Sequence, residues 1–141
     1  MPRVLKRILC VVAGSFAIVI LIAIALPRTS HASGYSQEIR AIGAMRTIHT
    51  MQVQYFSRYG EYAASLKELG PPAGLMDGEL ASGTKDGYRF TMTGNASGYA
   101  IHADPESFGK TGSRTFYSDQ TMTIRQNRGQ QPATINSPEM K

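Results

Sequence analysis

Histidine carries much of the general-base and metal chemistry open to a short chain, and here His31, His49 and His102 fall in three separate segments. None stands at the cysteine, histidine or carboxylate spacing that a bound metal requires, so each reads as a solvated or hydrogen-bonded imidazole. Asp77, Asp86, Asp104, Glu106 and Asp119 are loop carboxylates. Calcium takes six or more oxygens converging on one point, and these residues form no clustered run; turn and cap roles account for them. No serine occupies a nucleophile elbow, and no histidine–acid partner can be argued for any of them from the sequence. Gly94–Gly98 lacks the Lys-Ser or helix start of a phosphate loop and reads as a turn, while Asn95-Ala96-Ser97 matches a glycosylation sequon. The expectation is a non-enzyme with no catalytic, cofactor-binding or metal residues, no cofactor and no small-molecule substrate.

Charge narrows the partners. The chain carries a formal +5. Residues 1–40 hold five basic side chains against Glu38 alone, a net +4, whereas residues 41–141 hold ten basic and nine acidic, a net +1. The basic balance is therefore concentrated near the N-terminus, and the remainder lacks the footprint that phosphate-backbone binding needs. Nucleic acid is not expected as a partner.

The elements that must position any site begin with an apolar segment. Residues 8–26 contain no charged side chain. At 1.5 Å rise per residue, about 20 apolar residues match a hydrocarbon core of roughly 30 Å. Arg3, Lys6 and Arg7 precede the run and only Arg28 closely follows it, which places the N-terminus in the cytoplasm and the chain after Pro27 outside. Residues 1–27 thus read as a single-pass membrane anchor, with the head outside the cytoplasm. The alternative is a secretory signal cut after Ala32, with Ser30-His31-Ala32 as the small-x-small site, releasing a soluble binding module. The apolar run is longer than a signal's middle region, which favours retention. Cys10, the single cysteine, lies inside the run, so the head can hold no disulfide of its own.

About 110 residues remain, enough for one core. Ile39, Ile42, Met45, Ile48, Met51, Tyr55 and Tyr59 recur every three or four positions and predict an amphipathic helix over about 36–59. Ser36 is its expected N-cap, Glu38 its first-turn acid and Gly60 its stop. Ser65 and Glu68 form a capping box ahead of Gly70 and Pro71-Pro72, and Leu75–Ala81 offers another helical turn between glycines. From Gly87 the period becomes alternating. Tyr88–Met92 and Tyr99–Ala103 read as a hairpin, and Thr115–Ser118 and Met122–Arg125 as two further strands joined at Asp119-Gln120. The fold expected is α+β: a long helix, membrane half plus amphipathic half, packed on a three- to four-stranded antiparallel sheet. The head spans 28–126, and the polar residues 127–141 read as a flexible tail. Tyr55, Phe56, Tyr59 and Tyr62 are expected as core under the sheet, with an exposed subunit-contact patch as the alternative.

Taken in order, the basic start, the apolar run ending Ile22-Ala23-Ile24-Ala25-Leu26-Pro27, the long amphipathic helix, the Ser65-Leu66-Lys67-Glu68-Leu69 turn and the strands resemble the type IV pilins and type II secretion pseudopilins. Ser82–Phe90 and Ala103-Asp104-Pro105 are similar to segments of a pilin-like subfamily. The resemblance implies a structural or interaction protein whose partners are the membrane, through residues 8–26, and other pilin-like or secretion-system subunits. It also implies a processing glycine near Leu5 and an assembly glutamate near Cys10, and the chain has neither.

Overall fold

The computed structural model describes residues 30–141, with side chains from residue 34. The expected membrane segment, the junction at Pro27 and the positions of Leu5 and Cys10 lie outside the described residues. Helix α1 (Ser30–Tyr59) is followed by two single-turn helices, α2 (Leu66–Leu69) and α3 (Gly78–Ala81). Five strands then form one sheet: β1 (Thr84–Lys85), β2 (Tyr88–Asn95), β3 (Gly98–Pro105), β4 (Thr115–Asp119) and β5 (Arg125–Asn127). Every neighbour in the order β1-β2-β3-β4-β5 is antiparallel, a plain meander. The class is α+β, with five strands where three or four were expected. Among the described residues no helix is long and apolar enough to cross a membrane.

The additional strand is the two-residue β1. It is joined to β2 by Asp86-Gly87, both at positive φ, 51° and 77°. A two-residue hairpin with left-handed central residues follows the right-handed twist of its strands, and Asp-Gly is among the pairs that adopt it at least cost. The last strand also differs. Met122–Arg125 is not a strand; Met122 has φ 63° and its amide closes a turn on the Asp119 carbonyl, so β5 starts only at Arg125.

Strand alternation sends Tyr88, Phe90, Met92, Tyr99, Ile101, Ala103 and Phe116 inward, where they are buried against α1. The helix meets them with Ala41, Ile42, Met45 and Ile48. Its buried stripe is rotated from the expected one. Ile39 is exposed, whereas Glu38, His49 and Gln52, three or four residues from the apolar positions, are buried. Polar groups are tolerated there because strands β3 and β4, the loop between them and the segment after α1 supply their hydrogen bonds. Gln52 behaves as a piece of backbone: its amide donates to the Ala63 carbonyl at 3.0 Å and its carbonyl accepts from the Ala63 amide at 2.9 Å. That pair fixes the chain after Gly60, which has φ 76° and ends the helix as expected.

Helix α1 is already helical at Ser30, the first described residue, so Ser36 lies inside it and cannot act as its N-cap. The Ser65 capping box is not formed. The Ser65 side chain makes no cap bond, and the Glu68 carboxylate accepts from the Ala64 amide. The segment after residue 127, expected as a flexible tail, is tied to the sheet. The Gln126 amide donates to Pro138, the Met140 amide to Ile124, and the Thr115 hydroxyl to Gln131, while Ala133 is fully buried. Its polar composition hid this, because the tail is held mainly by backbone groups rather than by apolar side chains.

Candidate functional site

His49 brings together the three groups with the most chemistry. Its Nε2 lies 2.8 Å from Ser118 Oγ and its Nδ1 2.6 Å from Tyr99 Oη. The Ser118 hydroxyl also lies 2.9 Å from the Thr123 carbonyl, which can only accept. A hydroxyl has one proton, so Ser118 donates to Thr123 and accepts from the His49 Nε2–H. Nδ1 is then the acceptor of the Tyr99 hydroxyl, and the imidazole is neutral. A serine nucleophile needs its proton on the base, and here it points away from the ring. Ser118 is fully buried and His49 and Tyr99 nearly so. The trio ties α1 to β3 and β4. Burial pushes the His49 pKa below its ordinary value, against an upward pull from Asp119, and pushes the Tyr99 phenol up to about 12.

Glu38 makes the second tie. It is 3% exposed, and its Oε2 receives Arg114 Nε at 2.8 Å and Nη2 at 2.6 Å. Its Oε1 accepts from the Ser113 amide at 2.7 Å and the Ser113 hydroxyl at 3.0 Å. Arg114 continues to Gln126 Oε1 on β5 and lies over the Phe116 ring. Burial alone raises the Glu38 pKa; the Ser113 amide and the Arg114 guanidinium outweigh it and hold the carboxyl below the usual range. The expected role of Glu38 at a helix N-terminus is therefore replaced by an ion pair that joins the helix to the β3–β4 loop.

The remaining sequence candidates stay apart. His102 meets the edge of Tyr117 on the outer face of the sheet, and the His31 side chain lies outside the described residues. Asp77 caps α3 through the Leu80 amide and pairs with Lys85, and Asp86 pairs with Arg40. Asp119 folds over its own turn, accepting from the Thr121 amide and hydroxyl. Among the described residues no group of three or more His, Cys, Asp or Glu side chains is placed to hold a metal ion.

What the fold does present is one apolar helix face. Tyr35, Ile39 and Val53 are exposed along one flank of α1, beside its buried stripe. At its C-terminal end the helix overruns the sheet, so Phe56 and Tyr59, on the azimuth of the buried stripe, emerge into solvent. The aromatic cluster expected as core is thus half surface. Tyr55 packs on Tyr59 at 4.5 Å, and Phe56 on Tyr62 at 4.7 Å, with Tyr62 reaching Tyr99 at 5.0 Å. Sequence periodicity missed the His49–Ser118 and Glu38–Arg114 pairs because their partners lie 69 and 76 residues apart. The available signal was the spacing of Glu38, His49 and Gln52 from Ile42, Met45 and Ile48. Compared with known proteins, the chain matches no family model and no curated protein.

Proposed function

We propose that the chain is a non-catalytic, membrane-anchored, pilin-like or pseudopilin-like protein that works by protein–protein contact, its head held outside the cytoplasm by residues 8–26. The observation that carries this reading is α1 itself. It is helical from Ser30, the first described residue, lies along a single antiparallel meander, and leaves Tyr35, Ile39 and Val53 uncovered along one flank. A helix entering the bilayer and continuing as the spine of a head is the layout that the resemblance implies. The buried His49, Ser118 and Glu38 are spent on joining helix to sheet, which supports a structural rather than a catalytic role. Leu5 and Cys10 stand where the resemblance implies the processing glycine and the assembly glutamate, so the proposal does not include assembly by the usual filament route.

A photoreactive thiol probe tests the contact surface. In a Cys10→Ser background, benzophenone attached to Ile39→Cys or Val53→Cys in native membranes gives covalent protein adducts, whereas Thr91→Cys on the outer face of the sheet gives none. Equal yields from positions 39 and 91 overturn the assignment of the helix face.

A further inference from the structure

A cavity of about 420 Å³ opens on the outer face of the sheet, away from α1, where Thr93, Ala100 and Asp119 lie side by side across β2, β3 and β4. That volume is within the range of small-molecule sites. Ala100 leaves the floor low. Tyr117, Gln120 and Asn95 form walls, and Ile135 of the returning C-terminal segment, 57% exposed, closes another side. Asp119 is 8% exposed, so its carboxylate is a fixed acceptor rather than a solvated one. One oxygen is taken by Thr121, and the other has only a long 3.4 Å approach from the Tyr117 hydroxyl. The Asn95 carbonyl oxygen is used by the Ser97 and Gly98 amides, which leaves its NH₂ as donor.

The chemistry of these walls selects a ligand. Among the described residues Asp119 is the only charged one lining the cavity, so an anion is repelled. A single carboxylate with one oxygen engaged does not make a calcium shell. A wholly apolar ligand would strand Asp119, Asn95 and Gln120 without water. An added peptide strand needs an unpaired edge, and β2, β3 and β4 are laddered through this region. A neutral polyhydroxylated ring satisfies all of these walls. Its C–H face packs on Tyr117 and Ile135, and its hydroxyls, each donor and acceptor, meet a carboxylate and two carboxamides. We infer that this outer-face cavity is a binding site for one ring of a neutral hexopyranoside. The site is on the opposite side of the sheet from the proposed contact helix, so a partner on α1 does not cover it.

The test uses the full chain in zwitterionic micelles free of sugar-headed detergent, titrated with cellobiose, maltose or di-N-acetylchitobiose and followed by amide NMR. At least one disaccharide shifts the amides of Ala100 and Tyr117–Gln120 with a Kd of about 1 mM. Tyr117→Ala weakens that binding roughly tenfold or more, Tyr117→Phe keeps it, and Asp119→Asn weakens it while retaining an acceptor for Thr121. No shift at these residues with any of the three sugars at about 20 mM, twenty times the expected Kd, overturns the proposal. Binding that survives in a folded Tyr117→Ala chain overturns it equally.

Discussion

Arg114→Met lowers the stability of the head by about 3–5 kcal/mol, because it leaves Glu38 as a buried charge without its cation. For a domain of this size that is a fall in thermal midpoint of roughly 10–25 °C. Pairing the change with Glu38→Leu recovers part of the loss. The double variant no longer carries an uncompensated carboxylate, although the Ser113 amide and hydroxyl still lose their acceptor. Thermal unfolding of the two single variants and the double variant forms the cycle. A coupling below about 0.5 kcal/mol would show that the pair is not a joint between helix and sheet.

His49 sets the acid sensitivity of the same joint. Its folded pKa is depressed below the ordinary value of about 6.5, so as the pH falls below that value the unfolded chain takes up a proton that the folded chain refuses. Stability therefore declines as the pH drops from about 6.5 toward the folded pKa, by up to about 1.4 kcal/mol per pH unit. His49→Gln removes this slope. It also costs about 1–3 kcal/mol at neutral pH through the displaced Tyr99 and Ser118 partners. Below the ordinary glutamate range a second decline sets in, as Glu38 and Asp119, both held low in the folded state, are protonated. Asp104, raised mainly by burial, acts in the opposite sense there. Urea unfolding from pH 7 to 5 checks the first window, and an unchanged slope in His49→Gln would remove His49 as its cause.

Local signals in the sequence carried the elements well and the joints poorly. Gly60 and the alternation of Tyr88–Met92 and Tyr99–Ala103 are local features with local causes, and each marks what the structure has. Asp86-Gly87 is equally local, and its preference for a left-handed turn is the signal that marks β1. The helix face could not be set by apolar spacing alone. Ile39 fits the period as well as Ala41 does, and only the tertiary partners of Glu38, His49 and Gln52 decide which arc is buried. The aromatic cluster at Tyr55–Tyr62 was misplaced for a related reason: periodicity says which side a residue faces, not where the sheet ends. The outer-face cavity has no sequence signature, because Thr93, Ala100, Tyr117, Asp119 and Ile135 come from three strands and the returning C-terminal segment.

The proposal that the head is held outside by an uncleaved apolar segment is tested most directly by fractionation. Membranes bearing the full chain are washed with alkaline carbonate, and the protein in pellet and supernatant is weighed by mass spectrometry. The account predicts that the chain stays in the pellet with residues 1–32 attached. Release of the intact chain by carbonate, or a mature species beginning at Ser33, contradicts it.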